Sequence, residues 1–237
     1  EKKFEAGRRK ITLTRKPDGV VCLNPPKNAA ASNGALGTWA IMAGNALIIK
    51  APKECPLGLH YYYRNIVLES LNKIGAPPGT LNIISGDSKT IITEWGTHPL
   101  VDDIVFFGDS KLGLEVGKAL FQNNKKVILE LSGNDCVAIW KDADIQAATE
   151  ALMECFLGST QICMVPKHAL IHEKIYDHVV EAMLRKVNAL KVGLPTDQEV
   201  VLSPVGRMRE FKEFLQDALN KGGRLLCGGK QIDLSGN

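Results

Sequence analysis

Five short apolar segments alternate with segments of helical composition in the first 132 residues. The apolar segments are residues 20–23, 46–49, 81–84, 104–107 and 127–131. The helical segments are residues 29–42, 56–74, 87–95 and 110–121. Strands that are apolar almost throughout are typical of a parallel sheet with helices on both faces. The sequence therefore predicts an α/β unit built on five parallel strands, preceded by one amphipathic strand at residues 8–15.

A second α/β unit is predicted after Gly133 and Asn134. Its expected strands are residues 137–140 and 165–172, with a strand-like segment at 224–226. Its expected helices are residues 144–157, 174–190 and 210–220. We place the boundary near residues 131–134, which gives two domains, residues 1–132 and residues 133–237.

The composition excludes several classes of protein. With 45% hydrophobic and 23% charged residues, the chain has an ordinary globular balance. The net charge is only +3, and no Lys/Arg block is interleaved with aromatics, so we expect no nucleic-acid partner. No run of about 18 apolar residues occurs, so we expect no membrane span. Residues 1–5 lack the apolar core of a signal peptide, which predicts a cytoplasmic protein.

The six cysteines are scattered and include no CxxC pair. In a chain of this length, that pattern indicates reduced thiols rather than a disulfide framework. The histidine pair His168 and His172 has metal-ligand spacing for a helix, but it falls in a strand-like segment. We therefore predict no metal site.

Ligands of parallel α/β sheets bind beyond the carboxyl ends of the strands. The residues to consider at those ends are 24–28, 50–53, 85–87, 108–110 and Glu130. Lys50 could reach a cofactor ribose or phosphate from there, or it could be a solvated strand-end lysine. Gly108 and Gly113 are five residues apart, at a strand-to-helix turn where backbone N–H groups could meet a diphosphate. A turn glycine followed by a helix-packing glycine explains that spacing equally well.

Cys163 lies between the helix predicted at residues 144–157 and the strand predicted at 165–172. A thiol at such a junction can face a cleft, where backbone N–H groups can stabilise charge on a bound oxygen. Glu130 ends an apolar strand, a usual position for a general base in α/β folds. Our hypothesis is that Cys163 and Glu130 face each other across one cleft; the alternative is that Cys163 is a small buried residue.

Seven sequence pieces, in order, carry a resemblance to a known family. They are Pro17-Asp18-Gly19-Val20-Val21, Ala43-Gly44-Asn45-Ala46-Leu47-Ile48-Ile49-Lys50, Gly75-Ala76-Pro77-Pro78-Gly79-Thr80-Leu81-Asn82, Val105-Phe106-Phe107-Gly108, Leu129-Glu130-Leu131-Ser132-Gly133, Asp142-Ala143-Asp144 and Gln161-Ile162-Cys163. Their order and spacing resemble the aldehyde dehydrogenase superfamily from about Pro17 to the end of the chain. The resemblance implies a Rossmann-like cofactor domain followed by a catalytic domain.

The family oxidises aldehydes with a nicotinamide cofactor, so the resemblance implies roles for the candidate residues. Cys163 would be the nucleophile, and Glu130 would activate the water that hydrolyses the resulting thioester. Asn28 would stabilise the substrate oxyanion together with the backbone N–H of Cys163. The family also forms oligomers, which implies a homo-dimer or homo-tetramer.

On the cofactor side, Lys50 would bind the adenosine ribose, and the turn carrying the glycine pair would lie near the diphosphate. The residues implied at that turn are Gly108, Asp109, Ser110 and Gly113. Lys53 stands where NAD-preferring members carry a glutamate that binds the ribose hydroxyls. A lysine can instead pair with a 2′-phosphate, so the expected cofactor is NADP or NAD. Asp109 would repel a diphosphate unless its carboxylate points away.

Other departures leave alternatives open. The oxyanion segment, usually Pro-Trp-Asn-x-Pro, reads Pro25-Pro26-Lys27-Asn28-Ala29, and Thr160 replaces a usual glycine. Family members extend beyond both ends of these 237 residues. The chain is thus expected to be either part of a longer protein or a truncated homologue with an incomplete catalytic domain. The alternative functions are a CoA-acylating aldehyde dehydrogenase and a catalytically weak homologue with a binding or assembly role.

Overall fold

The computed structural model describes residues 1–158, 162–194, 196–202 and 208–232. The chain divides into two compact units, Glu1–Ser132 and Gly133–Asn237. Each unit is described by itself below.

The first unit is built on a five-stranded parallel sheet, as the sequence predicts. Its strands in chain order are β1 Lys2–Ala6, β2 Arg9–Leu13, β3 Val20–Asn24, β4 Ala46–Lys50, β5 Leu81–Ile84, β6 Asp103–Phe107 and β7 Lys126–Glu130. The spatial order of the parallel strands is β5-β4-β3-β6-β7. Strand β3 therefore lies at the centre, with β4 on one side and β6 on the other.

Helices connect these strands. They are α1 Ala30–Ala35, α2 Gly37–Met42, α3 Pro56–Tyr62, α4 Leu68–Lys73, α5 Ser88–Thr97 and α6 Ser110–Gln122, with a 3-10 turn at Lys27–Ala29. The predicted helix at residues 56–74 is interrupted by a π-helical turn, Tyr63–Val67, which joins α3 to α4. The side chains of Leu59, Tyr63, Val67 and Leu71 all pack on the same side of the sheet.

Successive residues of the central strand serve two different cores. Leu23 packs into a cluster with Leu47 and Tyr63 on one face of the sheet. Cys22 packs with Ile104 and other apolar residues on the opposite face. Because both faces of the central strands are covered, the strands are apolar almost throughout, and this property made them recognisable in the sequence.

The N-terminal segment is a hairpin rather than a single strand. Strands β1 and β2 pair antiparallel, with Phe4 opposite Ile11, and every residue of both strands is exposed. The sequence analysis predicted only the second strand, because Lys2–Ala6 has too few apolar residues for a pattern of alternation to be visible.

The second unit contains a two-stranded parallel sheet and three helices among its described residues. Its elements are β8 Cys136–Ile139, α7 Ile145–Gly158, β9 His168–Ile171, α8 Glu173–Asn188 and α9 Met208–Asn220. Ile139, Leu152 and Val179 form its small core. The strand-like segment predicted at residues 224–226 is not a strand, so that prediction is wrong. Within the described residues, no helix is long and apolar enough to cross a bilayer.

Candidate active site

The five parallel strands of the first unit end at one edge of the sheet. Their last residues are Asn24, Lys50, Ile84, Phe107 and Glu130, and we call this set the sheet edge. The chain leaves β3 toward β4 on one side, and later enters β6 on the other. Such a switch of direction opens a crevice beyond the strand ends, where α/β proteins bind ligands.

Lys50 is a buried cation at this edge. Its side chain is only 2% exposed, so the alternative of a solvated strand-end lysine is wrong. Within the described part of the chain, its ammonium takes part in no hydrogen bond or ion pair that meets ordinary distance limits. Burial lowers the pKa of Lys50, while the more distant carboxylates of Glu54 and Asp87 oppose that shift. A buried ammonium without a hydrogen-bond or ion-pair partner favours binding of an oxygen-rich ligand.

A polar pair that was not predicted lies just past β5, whose last residue, Ile84, pairs with Lys50. The Nε2 of His60 on α3 is 2.7 Å from the hydroxyl of Ser85, which follows β5. Burial lowers the pKa of His60, and Arg64 adds to that shift. Lys53 is exposed and contributes to the lowered pKa of Asp87, whose main cause is the hydrogen bond from the Thr90 backbone. His60 gave no signal in the sequence, because only the fold brings it to Ser85.

Asp109 is the N-cap of α6. Its Oδ1 accepts hydrogen bonds from the backbone N–H groups of Lys111 at 2.9 Å and Leu112 at 3.2 Å. The carboxylate is therefore directed at its own helix, where it stabilises the first turn. These are also the N–H groups that a phosphate would use at a helix N-terminus, so Asp109 competes with a phosphate for them.

The other residues of this turn have structural contacts. A Cβ on Gly113 would lie 2.2 Å from a methyl carbon of Leu131, so this glycine lets α6 pack closely on the chain after β7. The hydroxyl of Ser110 accepts from the backbone N–H of Ser132 at 3.2 Å. The N–H of Gly108 donates to the carbonyl of Glu130 at 3.1 Å. For Gly113, helix packing is thus a sufficient explanation; for the other residues of the turn, a cofactor role stays a prediction.

Two of the three proposed catalytic residues belong to the first unit. Glu130 is the last residue of β7, an edge strand of the sheet, and its side chain is exposed. Asn28 lies in the 3-10 turn that follows β3 and is also exposed. Glu130 therefore ends a strand at the sheet edge, and Asn28 lies four residues past the end of another, β3.

Cys163 belongs to the second unit, in the loop of residues 162–167 between α7 and β9, which we call the Cys163 loop. Its thiol is free and exposed, so the alternative of a small buried cysteine is wrong. The N–H of Ile162 donates to the carbonyl of Gly158 at 3.0 Å, which ties the loop to the end of α7. Ser159, Thr160 and Gln161, which precede the Cys163 loop, lie outside the described residues.

Two close contacts fix the backbone of the Cys163 loop. A Cβ on Gly133 would lie 2.2 Å from the carbonyl oxygen of Cys163, so only glycine permits this approach. The Nζ of Lys167 donates to the carbonyls of Ile162 at 2.7 Å and Val165 at 2.5 Å. Gly133 was predicted only as part of a matching piece, because its contact with Cys163 spans 30 residues. Lys167 was given no role, because the direction of its side chain depends on how the loop folds back.

The second unit also contains an apolar cavity of about 330 Å³ behind β9. Leu152, Val179 and Met183 contribute to its walls, together with the thiols of Cys155 and Cys227. Among the described residues, no group of three or more His, Cys, Asp or Glu side chains is arranged to hold a metal ion.

Comparison with known proteins gives the same family for the whole chain. Residues 2–237 match the model of the aldehyde dehydrogenase family. The chain is 31% identical over 229 residues to succinate-semialdehyde dehydrogenase [NADP(+)] 1 of Schizosaccharomyces pombe, covering 93% of this chain and 45% of that enzyme. It is 33% identical over 215 residues to a benzaldehyde dehydrogenase of Bacillus subtilis, covering 89% of this chain and 44% of that enzyme.

Solved structures agree with the sequence relatives. A glyceraldehyde-3-phosphate dehydrogenase from Methanocaldococcus jannaschii, complexed with NADP, superimposes with a TM-score of 0.89 at 28% identity. The match covers 98% of this chain and 51% of that one. The chain therefore spans about half the length of the relatives it matches. Because nearly all residues of the chain match the family model, the chain belongs to the aldehyde dehydrogenase family.

Proposed function

We propose that this chain carries the nucleophile, the base and most of the cofactor contacts of an NADP- or NAD-dependent enzyme that oxidises an aldehyde to a carboxylic acid. The observation that carries the proposal is the exposed thiol of Cys163, on a loop whose backbone is fixed by Gly133 and Lys167. A fixed backbone and an accessible thiol are what a covalent nucleophile needs.

In this proposal, the thiolate of Cys163 attacks the aldehyde carbon and forms a thiohemiacetal. The side-chain amide of Asn28 and the backbone N–H of Cys163 donate to the oxyanion that develops. When bound, a nicotinamide cofactor would accept the hydride that leaves this carbon, and the thiohemiacetal would become a thioester. Glu130 then removes a proton from the water that hydrolyses the thioester and frees the Cys163 thiol. Glu130 precedes Gly133 by three residues in the chain, and Gly133 abuts Cys163.

Lys50 and the residues that follow β4 and β6 fit a dinucleotide in part. The buried ammonium of Lys50 suits ribose hydroxyls or a phosphate, and the exposed Lys53 suits the 2′-phosphate of NADP. Asp109 fits a diphosphate poorly, since its carboxylate occupies the helix N–H groups. We therefore infer that Lys50 and Lys53 provide most of the affinity and that NADP is accepted. The NADP-dependent succinate-semialdehyde dehydrogenases among the relatives support this inference.

The two units take different parts in the proposed reaction. Residues 1–132 form the cofactor-binding domain, and residues 133–237 form part of the catalytic domain. A homo-dimer or homo-tetramer in the cytoplasm is the assembly that we propose, with the exposed hairpin β1-β2 as one of its contact surfaces.

The test uses the full-length chain, a panel of aldehydes and the absorbance of reduced nicotinamide, with and without CoA. Replacing the nucleophile in Cys163→Ala is expected to lower the rate by about a thousandfold or more. Cys155→Ala removes another thiol of the same unit and serves as the matched control, with activity near that of the parent protein. Glu130→Gln is expected to slow thioester hydrolysis more than the first hydride transfer.

The alternatives have distinct outcomes in the same assay. A product that forms only when CoA is present would identify the CoA-acylating reaction. An absence of hydride transfer and of cofactor binding would favour the catalytically weak homologue, for which the capping role of Asp109 is the observation in favour. Full activity of the Cys163→Ala variant would overturn the proposed mechanism.

A further inference from the structure

The side chain of Lys167 closes the Cys163 loop from the strand side. Its Nζ donates to the carbonyl oxygens of Ile162 at 2.7 Å and Val165 at 2.5 Å. These carbonyls belong to the residue just before Cys163 and to the residue two positions after it. Hydrogen bonds from an ammonium group are shorter and stronger than neutral ones. One cation therefore bridges both sides of the turn that presents the thiol.

The backbone of Lys167 is itself anchored. Its N–H donates to the carbonyl of Asp135 at 2.8 Å, and the N–H of His168 donates to the same oxygen at 3.3 Å. His168 begins β9, which pairs in parallel with β8. The lysine side chain thus extends from a fixed strand end back to the loop, which gives the bridge a rigid base.

The opposite side of the loop has little room to adjust. The carbonyl of Cys163 lies against Gly133, and Gly158 abuts Val165, with a Cβ there 3.0 Å from a methyl carbon. The loop is thus restrained at three points, by Gly133, by Gly158 and by the Lys167 ammonium. Releasing the ammonium would free the carbonyls on both sides of Cys163 to rotate, and the N–H and thiol of Cys163 would rotate with them.

We propose that Lys167 is a positioning residue for Cys163. Its ammonium fixes the carbonyls that flank the nucleophile and so sets the direction of the Cys163 N–H and thiol. This role rests on the proposed function of Cys163 as the nucleophile. Lys167 does not touch the reacting atoms in this proposal, and because its side chain is exposed, it contributes little to the core of the second unit.

The test compares three variants of the full-length chain. Lys167→Met keeps the length of the side chain and removes the cation. Lys167→Arg retains a cation with several donors, which can again bridge two carbonyls. Lys141→Met is the matched control, because Lys141 is an exposed lysine of the same unit that follows β8.

For Lys167→Met we expect kcat to fall by about 10- to 100-fold with KM nearly unchanged, the effect of a misplaced reacting group. Alkylation of Cys163 by iodoacetamide, followed by mass spectrometry, is expected to slow or accelerate by at least about threefold, because the environment of the thiol changes. Lys167→Arg is expected to recover most of both quantities, and Lys141→Met to leave both as in the parent protein.

Unchanged kcat and unchanged alkylation in Lys167→Met would overturn the proposal. A parallel loss of kcat in Lys167→Met and Lys167→Arg, with a large fall in Tm, would also overturn it, since that result indicates a structural role. The alkylation rate reports on Cys163 whether or not the protein turns over an aldehyde. It therefore separates failure of this inference from failure of the proposed function, which the activity of Cys163→Ala decides.

Discussion

The sheet edge and the Cys163 loop are held in opposite ways. The sheet edge ends five hydrogen-bonded strands, and Lys50 there is almost completely buried. The Cys163 loop follows a helix, exposes its thiol, and is fixed by a few contacts to single backbone atoms. At the first site the position of each side chain follows from the fold, whereas at the second it follows from a few specific neighbours.

This difference predicts where each site is vulnerable. Changing a side chain at the sheet edge alters what the edge binds while the sheet itself remains, because backbone pairing and two cores hold it. Changing one contact of the Cys163 loop alters the direction of the nucleophile. Substitutions at the two sites therefore test whether the sheet edge and the Cys163 loop respond differently.

Gly133→Ala is expected to lower activity by about 100-fold, since the new methyl group would lie 2.2 Å from the Cys163 carbonyl and the loop must move. Steady-state kinetics measures the loss. Gly58→Ala in α3 is the matched control, as nothing lies within 4 Å of its added methyl group. It is expected to leave activity unchanged and to raise stability slightly, by about 0.5–1 kcal/mol. Equal activities in the two variants would contradict the contrast.

Lys50→Met should have two effects of opposite sign. The affinity for the cofactor is expected to fall by about 10- to 100-fold, the size of one hydrogen bond to a charged group. The Tm of the protein without cofactor is expected to rise, because an unpaired buried cation is replaced by an apolar side chain. Calorimetry and thermal unfolding measure the two quantities.

Lys53 provides the control for Lys50, because it is an exposed lysine in the turn that follows β4, three residues after Lys50. Lys53→Met is expected to leave Tm unchanged and to weaken binding of NADP more than binding of NAD. A Tm that falls in Lys50→Met would show that its ammonium already has a partner in the protein.

At the amino-terminal edge of the same sheet, a carboxyl pair predicts a dependence on pH. Burial raises the pKa of Asp103, and a hydrogen bond with the Asp18 carboxyl adds to the shift; Lys126 pairs with Asp18 and lowers the pKa of Asp18. A raised pKa in the folded state means that Asp103 contributes stability at low pH and loses it as the pH rises. Asp18 has the opposite dependence and loses its contribution as the pH falls.

The Asp103→Asn variant is therefore expected to be more stable than the parent protein at neutral pH, with a Tm about 2 °C higher. The advantage should shrink as the pH falls below the ordinary aspartate pKa of 3.8, because Asp103 then becomes protonated in the unfolded state as well. Thermal unfolding across this range gives the measurement. A stability advantage that grows at low pH would show that the pKa of Asp103 is lowered in the folded protein rather than raised.

Asp109→Ser is expected to have the smallest effect on stability. Serine is as good an N-cap as aspartate, so the change should remain within about 0.5 kcal/mol, whereas Asp109→Ala should cost about 1 kcal/mol. Removing the carboxylate should also strengthen cofactor binding by about two- to fivefold, through reduced repulsion of a diphosphate. Unchanged affinity would mean that no phosphate approaches the start of α6.

The sequence predicted most of the fold because the five strands are covered on both faces and their apolar character is continuous. It missed β1, which is exposed throughout, and wrongly assigned residues 224–226 as a strand. The sequence of a short apolar segment such as Leu225-Leu226 does not specify whether another strand is available to pair with it. Pairing depends on residues far away in the chain, and local patterns do not contain it.

The candidate site was predictable only in part, because local sequence shows which residues end a strand but not which distant residues contact them. Residues at strand ends, such as Lys50 and Glu130, follow from the order of the strands and from the family resemblance. Burial of Lys50 could not be predicted, since it depends on the helices that cover β4. The contacts of Gly133 and Lys167 with the Cys163 loop could not be predicted either. Gly133 meets Cys163 across 30 residues of chain, and the Lys167 ammonium folds back on carbonyls of its own loop.

The π-helical turn between α3 and α4 has a consequence for insertions and deletions. Leu59, Tyr63, Val67 and Leu71 are spaced by four residues, and all pack against the sheet. In a regular α-helix such a series drifts by about 40° at every step, since successive residues are rotated by about 100°. The wider turn at Tyr63–Val67 compensates for this drift and keeps the series in line. Deleting one of residues 64–66 would leave spacings of four, three and four, which lie on one face of a regular α-helix, so α4 would form ordinary helical bonds and keep Leu71 against the sheet.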